Sequence, residues 1–266
     1  MPEQPNMPEV HLTRVGPIAT VTISQPGRRN AITAAMWQAL GRSLSEVADD
    51  PATRVLIVTG AGEDFCAGAD LTGTDPTVHP LHRMQRVNRS VLALHRLPIP
   101  TIARVDGVAI GSGCNLALGC DLIVASDRAR FSEIFVRRAL AIDGGGSWLL
   151  PRLVGLHRAK ELCLLADIVS AEEAGSIGLV NRVVPASELD VTVGGLAERL
   201  AAAAPLAVQQ IKRLLNDAHS TSFEQALESE ARAQSVNLQG ADTAEAFAAF
   251  MEKREATFTG SGFRSD

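Results

Sequence analysis

Three kinds of hydrophobic spacing divide the chain. Between residues 18 and 24, apolar Ala19, Val21 and Ile23 alternate with Thr20, Thr22 and Ser24, a period of two that predicts a strand with one buried face. The period then lengthens. Met36, Leu40, Leu44 and Val47 recur at helical spacing in AITAAMWQALGRSLSEVADD and predict an amphipathic helix. RVLIVTG (54–60) is a continuous apolar run, as in a strand covered on both faces. A helix-like stretch over 84–96, a strand at TIARVDG (101–107), a short helix near 113–119 and a strand at DLIVAS (121–126) follow. This β, α, β order predicts crossover units and a largely parallel sheet, an α/β fold. Residues 1–8 read as a loose arm.

From about 157 the pattern becomes helical. SAEE (Ser170, Glu173), SFEQ (Ser222, Gln225) and DTAE (Asp242, Glu245) each have the form of a helix start, a capping residue with a partner three positions on. The expected division is an α/β core over 1–195 and a helical C-terminal region over 196–266. The apolar face of that region needs either the core or a neighbouring subunit to cover it.

Composition narrows the function. Of 266 residues, 46% are hydrophobic and 21% charged, enough to bury a large core. The net charge of −5 offers no attraction to phosphate backbones, and aromatics at 4% with no tyrosine offer few stacking platforms, which argues against nucleic acid. No apolar run approaches the roughly 18 residues of a membrane span. MPEQPNMPEV lacks the basic and apolar regions of a secretion signal, and Cys66, Cys114, Cys120 and Cys163 show no CxxC spacing. Free thiols in a reducing cytoplasm are expected. His79 and His82 have no third ligand nearby, so no metal is expected.

Two glycine-bearing loops each follow a strand: TGAGEDFCAGADL (59–71) and DGVAIGSGCNLALGCD (106–121). Neither is a dinucleotide fingerprint, because Phe65 and Leu116 stand where the third glycine belongs, and no G-K-[ST] loop exists. Such turns expose backbone N–H groups, and two that converge form an oxyanion hole; tight strand–helix packing is the alternative. A third stretch, LAIDGGGSWLLPRLVG (140–155), sets Asp143 before Gly144, Gly145 and Gly146. Consecutive glycines imply positive φ or close backbone approach. Asp143 either caps the following helix or is presented to a ligand.

NAIT (30–33), VLIVTGAGEDFCAGADL (55–71), DGVAIGSGCNLALGCDLIVAS (106–126) and AEEAGSIGLVNRVV (171–184) together resemble the crotonase, or enoyl-CoA hydratase/isomerase, superfamily over roughly residues 10–258. The resemblance implies a spiral of ββα units, a helical trimerisation region giving a homotrimer or homohexamer, and an acyl-CoA thioester substrate. It makes the N–H groups of Ala69 and Ser112 the oxyanion donors. Arg28 and Arg29 in QPGRRNA would border the CoA phosphates, with Ala67 and Asp70 lining the adenine pocket. Phe250 and Lys253 in FMEKREATF would approach a CoA, including one bound to a neighbouring subunit. The segment 72–90 would supply much of the acyl pocket. No metal or organic redox cofactor is required, since coenzyme A is part of the substrate.

The family's hydratases use two glutamates, and here Asn115 and Phe135 stand at those positions. Glu133 lies two residues from the second and would have to be re-registered to serve. Asp143 aligns with a catalytic aspartate of other branches, the dienoyl-CoA isomerases and 4-chlorobenzoyl-CoA dehalogenase. Phe135 and Trp148 would surround it and raise its pKa. A single acid suits double-bond isomerisation better than hydration. The alternatives are hydrolysis or substitution through Asp143, and a CoA-thioester-binding protein without catalysis.

Overall fold

The computed structural model describes residues 8–72 and 77–260, so the expected arm lies outside the described residues up to Met7, as do residues 73–76 of the expected acyl-pocket segment. The first half of the described chain runs β1 (Glu9–Val15), β2 (Ile18–Ser24), α1 (Ala34–Ala48), β3 (Val55–Gly60), α2 (Pro80–His95), β4 (Thr101–Val105), β5 (Val108–Ile110), α3 (Ser112–Leu118), β6 (Leu122–Ser126) and β7 (Arg130–Ser132). A 3₁₀ turn (Ile134–Arg138) leads into α4 (Gly146–Val154), α5 (Leu156–Leu165), β8 (Val169–Ser170), α6 (Ala171–Ser176) and β9 (Arg182–Val184). The chain then continues in helices: α7 (Leu189–Ala201), α8 (Pro205–Asp217), α9 (Phe223–Leu238) and α10 (Ala241–Glu252).

Six strands form one sheet in the order β1-β2-β3-β4-β6-β9, antiparallel only at the β1–β2 hairpin. β3 sits inside it, and its unbroken apolar run follows from having two faces to fill. Leu56 and Val58 join the main core with Met36, Leu40 and Leu44 of α1, while Val55 and Ile57 face Leu189, Val193 and Ala197 of α7. The strand ends carry the glycine-bearing loops at their C-terminal edge. A second sheet, β5-β7-β8, has strands of only two or three residues, too short for any periodic signal.

The expected boundary near 195 falls inside α7, whose apolar side is part of the core. The helices after it differ: among α8, α9 and α10 the only buried residue is Ala249. Two expected caps form as read. Ser170 accepts from Glu173 N, and Ser222 and Gln225 bond reciprocally. The DTAE start does not. Gly240 is the N-cap of α10, and Asp242 instead accepts from Thr259 N (2.9 Å) and Gly260 N (3.0 Å) of the tail folded back along the helix.

Candidate active site

Two single-residue bridges lay the glycine loops side by side. Ile32 N donates to Gly68 O (2.7 Å) and Asp70 N to Ile32 O (2.9 Å); Cys66 N donates to Val108 O (2.8 Å) and Ile110 N to Cys66 O (2.9 Å). In the first bridge Ala69 lies between the bonded residues, so its own N–H turns to the opposite side. Ser112 opens α3, where first-turn N–H groups have no intrahelical acceptor. Neither N–H has an acceptor among the described residues. The loops meet so closely that a Cβ on Gly68 would lie 2.8 Å from Ile110 O and 3.8 Å from Ser112 N, and Gly68 has φ +97°. The two amides that the sequence singled out are thus brought together.

Asp143 joins them through Ser112. Its Oδ1 accepts from the Ser112 hydroxyl at 2.9 Å, and burial pushes its carboxyl above the usual range, with the Ser112 hydrogen bond opposing. The carboxylate does not cap α4, which has Gly145 at its N-cap and no side-chain cap. What holds the turn is the main-chain oxygen of Asp143, which accepts from Gly146 N (3.0 Å) and from Asn115 Nδ2 (2.9 Å). Gly145 has φ +85°, and a Cβ on Gly146 would come within 2.4 Å of Asn115 Oδ1. The run of glycines therefore lets the turn close over the Asn115 amide and frees the acid to face Ser112.

Asn115 is fully buried, and its Nδ2 also donates to Glu133 Oε2 at 3.2 Å. Glu133 was set aside by gapless counting, yet it lies within this cluster and only 3% of it is exposed. β7 ends at Ser132, and Glu133 begins the 3₁₀ turn with φ −88° and ψ 63°, outside strand and helix geometry. Phe131, Ser132 and Glu133 are buried in succession, so the alternation of the strand is lost where it ends and the Glu133 side chain lies inside. Burial raises the Glu133 carboxyl to about 7, and the negative charge of Asp143 adds to the rise. Phe135 is buried beside Gly111, where its ring would meet a Cβ at 3.6 Å.

Trp148, on α4 five residues beyond Asp143, packs toward α2. Its ring meets His95 edge-on at 5.5 Å and has the Arg152 guanidinium 3.9 Å above it. With Gly145, Leu149 and Lys212 it lines a cavity of about 920 Å³ between α2, α4 and α8.

The rim gathers four more of the expected residues. Ala67 N donates to Arg29 O (2.9 Å), Arg29 lies 3.8 Å from Asp64, and Gln25 Nε2 donates to Asp70 Oδ2 (2.8 Å). Hydrogen bonds from the Thr72 hydroxyl and Gln25, with the charge of Arg28, hold the Asp70 carboxyl below the usual range. Asn30, unassigned in the sequence reading although NAIT contained it, is the clamp. It is buried, accepts from Gln25 N and donates to Ala61 O and Asp64 O. Phe250, 80% exposed on α10, and Lys253, the αL residue that ends it, make no hydrogen bond or ion pair to this rim among the described residues. The cysteines are free, and burial pushes Cys66 and Cys120 up to about 12, so neither is poised as a nucleophile. No group of three metal-ligating side chains occurs, and no single helix is long and apolar enough to cross a membrane, among the described residues.

Residues 13–261 match the family model described as enoyl-CoA hydratase/isomerase. The chain is 37% identical to 1,2-epoxyphenylacetyl-CoA isomerase of Escherichia coli K12, over 91% of this chain and 95% of that protein. It is 36% identical to a crotonyl-CoA hydratase of Syntrophomonas wolfei, over 91% and 94%. Among solved structures it superimposes on enoyl-CoA hydratase from Bacillus anthracis with a TM-score of 0.91 at 31% identity, covering 95% of this chain and 99% of that one. The enoyl-CoA hydratase from Polaromonas sp. JS666 gives 0.90 at 32%, covering 94% and 100%. The expected crotonase-like fold is borne out by these matches.

Proposed function

Because the chain belongs to the enoyl-CoA hydratase/isomerase family, we propose that it is an acyl-CoA enzyme that moves a double bond by shuttling a proton along the carbon chain of a thioester. The Ala69 and Ser112 N–H groups receive the thioester oxygen as it gains charge, each contributing about 3–4 kcal/mol to stabilising the oxyanion. That charge makes the α-carbon acidic. Asp143 takes the α-proton and returns it further along, and its raised pKa suits both halves of the transfer. The observation that carries this reading is Ser112 itself. Its hydroxyl bonds Asp143 while its N–H is without an acceptor among the described residues, so the acid and one oxyanion donor are joined through a single residue. Arg28 and Arg29 contact the CoA phosphates as charge-assisted donors.

Hydration is the second reading, favoured by Glu133, a buried second carboxyl in the same cluster. The test offers crotonyl-CoA, a 3-enoyl-CoA and a dienoyl-CoA to wild type and to Asp143→Asn, in deuterium oxide. Deuterium entering at the α-carbon, lost in the variant, supports the shuttle. Water addition to crotonyl-CoA without isomerisation favours hydration. Release of free CoA favours hydrolysis, and CoA binding without any turnover a binding protein. A homotrimer or homohexamer in the cytoplasm completes the reading. Exposed Ile211, Leu215, Phe223, Leu227, Phe247 and Phe250 on the last three helices support self-association.

A further inference from the structure

Among the described residues Glu133 Oε1 and Asn115 Oδ1, on side chains 3% and 0% exposed, have no nitrogen or oxygen partner, and besides the Asn115 amide only the Cys114 thiol, a weak donor, bonds the Glu133 carboxyl. Both oxygens are acceptors when Glu133 is ionised, and an uncompensated acceptor out of water is costly. A proton on Glu133 changes the inventory, because the carboxylic acid then carries a donor of its own. The surrounding charges favour that state. The groups facing Glu133 are Cys114 and Asn115 on α3, Cys163 on α5 and Asp143 before α4, and none of them is a cation. Arg137, on the same 3₁₀ turn, points outward to Asp167 at 2.8 Å. The Cys114 and Cys163 thiols are themselves held above their ordinary value by burial and by Glu133, so they stay neutral.

The position of Glu133 is as restricted as its charge. Ser132 O accepts from Gly111 N at 2.8 Å, which ties the end of β7 to the start of α3. The Asn115 amide spends one N–H on Glu133 Oε2 and the other on Asp143 O, while Gly146 leaves room for nothing larger beside it. The path from Glu133 to the turn bearing Asp143 is one buried side chain long.

We propose that Glu133 is a positioning residue for Asp143: in its protonated form it anchors the Asn115 amide and the Asp143 turn without adding a second negative charge to the site. This rests on Asp143 being the proton-transferring acid. The pair then shares one proton, held by Glu133, leaving Asp143 ionised and able to accept. Ionisation of Glu133 puts a second negative charge beside the carbon chain and opposes the build-up of charge on the thioester oxygen, so turnover falls on the alkaline side.

The test combines two measurements on the full chain. The first is the pH profile of kcat with a 3-enoyl-CoA for wild type, Glu133→Gln, Glu133→Ala and Asp143→Asn. Wild type is expected to lose activity as pH rises through about 7. Glu133→Gln, neutral at every pH, is expected to lack that limb. Glu133→Ala, which cannot accept from Asn115, is expected to fall by at least about tenfold at every pH, the scale on which a misplaced group costs rate. The second is the ¹³C NMR titration of the Glu133 carboxyl, which does not depend on turnover: near neutral in wild type, and lower in Asp143→Asn. An alkaline limb that persists in Glu133→Gln, or Glu133 titrating in the ordinary carboxylate range, overturns the proposal. So does a Glu133→Gln variant as inactive as Asp143→Asn, which would make Glu133 a group that touches the reacting atoms. Turnover surviving in Asp143→Asn is a different failure, that of the shuttle itself.

Discussion

At the rim, Asp70 accepts three hydrogen bonds close to the surface and is held below the ordinary carboxylate range, whereas Asp143 accepts one on its carboxylate, from Ser112, and burial holds it above. Two causes sort them: at Asp143 burial is the larger influence, and at Asp70 the donors aimed at the charged form outweigh it. A carboxylate that accepts three hydrogen bonds is a fixture that shapes its turn. One with a single partner in a dry place can gain and lose a proton. The same contrast separates the two regions as wholes, with Arg28, Arg29 and Asp64 near water at the rim and Asn115, Glu133 and Phe135 sealed below.

The sharpest way to break the comparison is to exchange the acids for amides one at a time. Asp143→Asn is expected to lower kcat/KM by about 10³-fold, the usual worth of a general acid–base group, with CoA affinity retained. Asp70→Asn should change kcat/KM no more than a few-fold, and comparable losses in steady-state assays would erase the distinction. Next in size is the pH dependence of stability. Glu133 binds its proton more tightly folded than unfolded, its pKa rising from 4.5 to about 7. Its contribution is therefore complete below about 4.5 and lost as pH rises through about 7, roughly 3 kcal/mol in all. Asp70, with a lowered pKa, contributes in the opposite sense, present above its ordinary value and lost as pH falls. Denaturant midpoints for wild type and Glu133→Gln between pH 4 and 8 check the sign, and the slope belonging to Glu133 should vanish in the variant. Gly146→Ala should cost about 2 kcal/mol of unfolding free energy through overlap with the Asn115 amide, with a matching loss of kcat. The smallest effect is expected at the rim. Arg28→Ala and Arg29→Ala should raise KM about threefold each without changing kcat, and added salt should shrink the difference.

The elements legible in the sequence were those with room for a pattern. β2 shows its alternation over seven residues, and α1 shows its buried stripe from Met36 to Val47. The loops around Ala69 and Ser112 were legible through their glycines, because a turn that crowds another backbone restricts its residues as strongly as a core does. The three-residue strands β5 and β7 left no period to read, and with them went the inward direction of Glu133. Phe131, Ser132 and Glu133 are buried one after another, so no alternation singled out Glu133. The contacts of Trp148 with His95 and Arg152 were not legible either, because closeness in sequence to Asp143 says nothing about which side of a helix start a ring faces. The caps at Ser170 and Ser222 are local bonds and could be read locally, but the partners of Asp242 lie seventeen and eighteen residues away.

Gly145 carries more than a turn. Its carbonyl receives Trp148 N and Leu149 N at 3.0 Å each, it lines the cavity between α2, α4 and α8, and two residues before it stands Asp143. Cavity wall and acid are consequently machined from one continuous piece of backbone, with no slack segment between them. The tryptophan that lines the cavity and the carboxylate that bonds Ser112 thus hang from the same glycine turn.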